Sequence, residues 1–187
     1  IAAAAYAKDQ AVPRVSTALL DKYRDEMYAP INREKGYPPE WVTRVMQGVM
    51  FPYFILYAKE KSRLEGALNQ IMYLQKKFSD NLRVHDFHDL RSAHETRNML
   101  LNAEMKLRAG LAREESRGTH YREDYPYRDD KNFLSWIKLV ERDGNMEVVK
   151  HPIPEAWHPD PAMKYREKYQ GVFPREDERR KAAGIAD

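Results

Sequence analysis

The sequence predicts a mainly α protein: an antiparallel three-helix bundle, spectrin-repeat-like, followed by a β-hairpin and an extended C-terminal tail. Three observations carry this. Apolar residues recur at helical spacing in three stretches between Pro38 and Glu115. Asp143-Gly144 sits between two short alternating runs, a strong two-residue hairpin signal. From Glu155 onward the chain is rich in Pro, Tyr and charge, and no apolar period continues.

Composition bounds the rest. The chain has 187 residues, 42% hydrophobic and 33% charged, enough for one core beneath much solvated surface. Its net charge of +3 comes from Lys and Arg interleaved with Asp and Glu, which argues against a nucleic-acid binder. Without cysteine there is no disulfide, thiolate zinc site or iron–sulfur ligand. No run of about 18 apolar residues occurs, so no membrane insertion is expected.

Residues 1–36 read as a lead-in. The alanine-rich start is helical by propensity but too short to stand alone, and is expected to be a helix end whose partner lies upstream. A second helix is expected from Pro13 to Tyr28 on the spacing of Val15, Leu19, Tyr23 and Met27. Ala29-Pro30 should end or kink it.

Residues 37–116 read as the bundle. Pro38-Pro39-Glu40 opens a helix whose stripe includes Trp41, Val42, Val45, Met46, Val49 and Met50, and Pro52 closes it. A connector carries Phe54 to Tyr57. The next helix is expected from about Lys59, with Leu64, Ala67, Ile71 and Phe78 on one face, and Ser79-Asp80-Asn81 breaks it. Asp86 is the expected cap of the longest helix, Phe87 to Glu115, whose apolar side runs through Leu90, Ala93, the Arg97 stem, Leu100, Ala103 and Leu107. Three such stripes must bury one another. The methionines read as core filler.

Residues 117–154 read as a charged loop and the hairpin. In the stretch Glu115 to Phe133, Arg117, His120, Arg122 and Arg128 alternate with Asp124, Asp129 and Asp130 and with Tyr121, Tyr125 and Tyr127. Gly118 and Pro126 exclude a continuous helix. Forked guanidinium–carboxylate pairs and amphipathic tyrosines favour an ordered loop. Strands are expected from Phe133 to Val140 and from Met146 to Lys150. Residues 155–187 read as an arm wrapping a surface, with the last dozen disordered or weakly helical.

Three histidines, His85, His88 and His94, stand at spacings three and six, but without matching ligands on a second helix they read as solvated or capping groups. His120 reads as a hydrogen-bond strut before an acid–base group. From the residues alone, the stretch is a contact loop, and Arg117, His120, Arg122, Asp124, Arg128, Asp129 and Asp130 are the interface candidates.

That stretch also resembles the signature of the flavoprotein subunits of succinate dehydrogenase and fumarate reductase, Glu-Ser-Arg-Gly-Ala-His followed by Arg, Asp, Pro and Arg-Asp-Asp. The matching residues are Glu115, Ser116, Arg117, Gly118, His120, Arg122, Asp124, Pro126, Arg128, Asp129, Asp130 and Phe133, with Thr119 in place of Ala. L-aspartate oxidase is similar in the first part of the loop. The adenylylsulfate reductase α subunit is similar through the run Asp86 to Arg91. The resemblance covers Ile1 to about Pro154.

It implies a C-terminal helical domain of an FAD-dependent oxidoreductase, with the alanine-rich start as the end of the flavin domain's last helix. FAD and the residues for hydride transfer would lie upstream. No catalytic, cofactor-binding or metal residue is assigned here, and no turnover is expected from this piece alone. The implied partners are the flavin-binding and capping domains of the same protein and, further, an iron–sulfur subunit. The implied location is cytoplasmic, with such subunits offering attachment at the inner face of a membrane. A bundle without its flavin domain would expose the patch meant for it. The alternative is a standalone helical module binding protein or nucleic acid through Lys59 to Arg63 and Arg175 to Lys181.

Overall fold

A computed structural model describes residues 2–10, 14–169 and 171–185. Two helices lead in: α1 (Ala2–Lys8) and α2 (Thr17–Asn32). The expected role of Pro13 lies outside the described residues. Ser16 caps α2, its hydroxyl accepting from the Leu19 amide at 3.1 Å. Pro30 does not end the helix but sits buried inside its last turn. There it forfeits a single backbone bond, and its carbonyl accepts from the Val84 amide at 3.0 Å. Tertiary contact thus overrides the local signal.

The bundle consists of α3 (Pro39–Met50), α5 (Lys61–Phe78) and α6 (Phe87–Ala112), with the single turn α4 (Tyr53–Leu56) after α3. Trp41 meets Phe78 at 5.2 Å between ring centroids, which sets α3 antiparallel to α5. Thr43 shares a 2.8 Å hydrogen bond with Thr96, which places the first halves of α3 and α6 side by side. The core is Val42, Met46 and Met50 against Leu64, Ala67, Ile71 and Leu74 and against Leu90, Ala93, Leu100 and Leu107. The stripe of α6 passes through Thr96 rather than the Arg97 stem. The Thr96 hydroxyl satisfies itself on the Ser92 carbonyl at 2.8 Å, so it can be buried. Asp86 caps α6 as expected, accepting from the Asp89 amide at 2.9 Å.

Helix α5 begins at Lys61, with Glu60 as its cap, because Ala58–Lys59 is used otherwise. These two residues form strand β1, parallel to β2 (Tyr121–Arg122), with Ala58 opposite Tyr121 and Lys59 opposite Arg122. The pairing pins the charged loop to the bundle. Helix α6 stops at Ala112, short of Glu115, because the chain turns there to enter that loop.

The loop leads into the one-turn helix α7 (Asp130–Phe133), so Phe133 is helical and not the first strand residue. Asp129 causes this: its carboxylate caps the Asn132 amide at 3.1 Å. The hairpin pairs β3 (Ser135–Arg142) with β4 (Asn145–Pro152) in antiparallel register, Arg142 opposite Asn145. Asp143 and Gly144, at φ of 52° and 77°, form the two-residue turn their identities announced. Strand β3 lies on α6, which supplies the support a lone hairpin needs.

Beyond the hairpin, the described residues form two short α-helices that composition did not signal clearly. These are α8 (Tyr165–Lys168) and α9 (Glu176–Ala182). Their buried residues, Tyr165, Glu176 and Arg180, close over the loop. No helix among the described residues is long and apolar enough to cross a membrane.

Candidate docking site

The charged loop folds around three buried ionic centres. The first is Glu115, which is fully buried. It accepts from Arg113, from the Nε and Nη2 edge of Arg117 at 2.8 and 2.9 Å, and from the Asp129 amide at 2.8 Å. Arg117 reaches on to Asp130 at 2.6 Å, and Tyr169 of the arm donates to the same carboxylate at 2.8 Å. Burial works to lower the Arg117 pKa, but the hydrogen bonds it donates to Glu115 and Asp130 outweigh it and raise the value.

The second centre is Arg122, which has no exposed surface. One edge of its guanidinium pairs with both oxygens of Asp124 at 2.8 and 2.7 Å. Its other terminal nitrogen donates to the carbonyls of Gly110, Leu111 and Arg113 at 2.8, 3.3 and 3.2 Å. Gly110 and Leu111 close α6 and Arg113 follows it as the C-cap, so Arg122 caps the helix with a cation at its negative pole. Burial would raise the Asp124 pKa, but the Arg122 hydrogen bonds and charge bring it below the usual carboxylate range. Asp124 also accepts from the Lys61 amide at 3.1 Å, at the start of α5. Ser116 stitches the turn, accepting from the Arg122 amide and donating to the Tyr125 carbonyl, both at 2.8 Å.

The third centre is Glu176 of α9. Arg128 donates to it at 3.3 Å and to the Gly171 carbonyl at 2.9 Å, while its guanidinium lies over Tyr169 and Phe173 at 4.8 and 4.7 Å. Arg166 reaches Glu176 at 3.4 Å, and Tyr165 donates to it as well.

The seven residues singled out from sequence therefore divide. Arg117, Asp129 and Asp130 gather around Glu115, Arg122 pairs with Asp124, and Arg128 holds the arm. His120 stands apart as a strut, its Nε2 at 3.1 Å from the Arg113 carbonyl. Burial, with Lys59, Arg122 and Arg113 nearby, depresses its pKa to about 4 against the backbone hydrogen bond, so it is neutral near pH 7. Glu176, Tyr165 and Tyr169 escaped sequence reasoning because they lie 37 to 52 residues from their partners in the loop. Lys59 escaped because it looked like one more surface charge in a mixed run.

The three upstream histidines do not converge. His94 bonds to the Met27 carbonyl at 2.9 Å and His85 to Arg83 at 3.1 Å. Among the described residues no group of three or more His, Cys, Asp or Glu could hold a metal ion.

A three-helix bundle bearing a supported hairpin, with an internally saturated charged loop clasped by its own tail, defines an accessory helical domain. Residues 43–168 match the family described as "Fumarate reductase flavoprotein C-term", more than half of the chain, and the chain belongs to that family. The fumarate reductase flavoprotein subunit of Mycobacterium tuberculosis is 38% identical over 97 residues, 48% of this chain and 16% of that one. Its counterpart of the same description in Helicobacter pylori is 37% identical over 81 residues, 41% of this chain and 11% of that one. The solved Mycobacterium smegmatis Sdh1 complex in the apo form matches with a TM-score of 0.70 at 25% identity, covering 84% of this chain and 28% of that one. The chain thus spans no more than about one-sixth of these curated relatives. The resemblance read from the loop holds.

Proposed function

We propose that this chain is the supporting and docking domain of a longer FAD-dependent oxidoreductase of the fumarate reductase/succinate dehydrogenase type. FAD and the dicarboxylate chemistry belong to the flavin-binding and capping domains of that protein, and the chain's own residues hold those domains in place. One observation carries the docking role: α2 presents Leu19, Leu20, Tyr23 and Met27 to solvent at 41, 56, 56 and 53% exposure. A helix stripe of that kind is made to be covered. Arg117, His120, Arg122, Asp124, Arg128, Asp129 and Asp130 serve docking by stiffening the charged loop as a second contact surface, near the flavin domain or an iron–sulfur subunit. Placement in the cytoplasm, with attachment to a membrane face through partner subunits, fits the same reading.

The basic runs speak for this reading over a nucleic-acid module. Arg63 pairs with Glu60 and Glu123, and Arg175 with Glu178 at 2.8 Å, while Lys59 is buried, so neither run presents a continuous basic face to solvent.

The test uses the longer flavoprotein. Leu20→Asp with Tyr23→Asp should lower flavin retention and activity while leaving the urea midpoint of the 187-residue chain unchanged. Arg117→Ala should lower both, because it opens the clasp. Unchanged flavin content and activity in all these variants would refute the docking role.

A further inference from the structure

One cleft of about 440 Å³ lies apart from the α2 stripe, between β1, the last turns of α6, the charged loop and β3. Lys59, Lys106, Arg113 and His120 converge on it, and none of its lining residues is acidic. Thr119 adds a hydroxyl at the mouth, while Leu56 and Ile137 supply apolar wall.

Lys59 is the telling residue. It is 7% exposed, and among the described residues its ammonium meets one acceptor, the Tyr57 carbonyl at 3.4 Å. Burial lowers its pKa, and the Lys106 and Arg122 charges add to the effect. Across the β1–β2 register its partner is Arg122, which is equally buried but has Asp124. A buried cation without a counter-charge is expensive, and the chain has provided the carboxylate for one of the pair and not for the other. Lys106 has no ion pair among the described residues and adds a second uncompensated charge at the same opening. Arg113 turns its charge toward Glu115, leaving the two lysines as the free donors.

We infer that this cleft is a binding site for a small oxyanion, a carboxylate or phosphate, held by the Lys59 and Lys106 ammonium groups beside His120. The site is independent of the docking role proposed above. An anion there would complete for Lys59 what Asp124 does for Arg122. It would also favour the protonated imidazole of His120.

The probes are inorganic phosphate and acetate, titrated into the 187-residue chain by calorimetry and by NMR of the His120 imidazole. Saturable binding is expected, with the His120 pKa rising in the presence of the anion. Removing one charge-assisted contact should weaken binding about tenfold, in Lys59→Gln and Lys106→Gln alike. Lys77→Gln, on the exposed face of α5, should leave it unchanged. If Lys59→Gln fails to fold, the exposed Lys106 decides. Absence of saturable binding by both probes would overturn the assignment. So would equal binding by wild type and Lys106→Gln, since that would mark diffuse surface attraction.

Discussion

Arg122 is held with no exposed surface because every face of its guanidinium is used. Asp124 takes one edge, the carbonyls of Gly110, Leu111 and the C-cap Arg113 take the other, and its plane lies over Tyr125 at 5.0 Å. Arg122→Met should therefore cost about 3–5 kcal/mol in urea unfolding, since it leaves the Asp124 carboxylate with the Lys61 amide alone and the end of α6 without its side-chain donor. His120 gives a pH signature. Its folded pKa, about 4, lies below the ordinary 6.5, so between these values the unfolded chain takes up a proton that the native chain refuses. This contribution to stability is whole above pH 6.5 and falls away as the pH drops toward 4. His120→Gln should flatten that part of the stability–pH curve. The depressed carboxyl of Asp124 acts only lower, where carboxylates titrate.

At the scale of elements, ends matter more than middles. Glu60 and Asp86 start α5 and α6 by accepting from the third amide onward, at 3.3 and 2.9 Å. The turn after α5 is held against the chain before α3, where Tyr37 donates to Asn81 at 2.9 Å and Arg83 donates to Tyr37 at 3.0 Å. Gly36 makes that approach possible. A Cβ there would stand 2.6 Å from the Asn81 carbonyl oxygen and 2.6 Å from the Arg83 Cβ. Gly36→Ala should cost about 1–3 kcal/mol and loosen the α5–α6 connection, read by thermal melting and by faster exchange of the Tyr37 and Arg83 amides.

Across the whole molecule, the arm joins parts that local sequence keeps separate. Tyr169 reaches Asp130 and Arg117, Glu176 reaches Arg128, and Arg180 donates to the Arg128 carbonyl at 2.9 Å. Deleting residues 155–187 should leave the bundle folded, because its core of Val42, Leu64, Ile71, Leu100 and Leu107 draws nothing from the arm. Hydrogen exchange should then speed up in the loop around Arg128 to Asp130 while amides of α5 and α6 stay protected. Equal loss of protection in the bundle would show that arm and bundle unfold as one unit.

The three helix stripes, the Asp86 cap and the Asp143-Gly144 turn were legible because each is a local device, read within one or two turns of chain. The loop signature and the family were legible for the same reason, since Glu115 to Phe133 is continuous. Whether the charges of that loop faced outward or each other was not, because Glu115 looks the same in sequence whether solvated or buried. The parallel pairing of Ala58–Lys59 with Tyr121–Arg122 was equally hidden, since its two halves are 63 residues apart. Sequence by itself determined the three bundle helices, where the hairpin turns and which family the chain belongs to, through periodicity, turn chemistry and the loop signature. Tertiary structure alone decided that Arg117, Arg122 and Arg128 spend their charge inside and that Lys59 does not, because long-range pairing places the carboxylates.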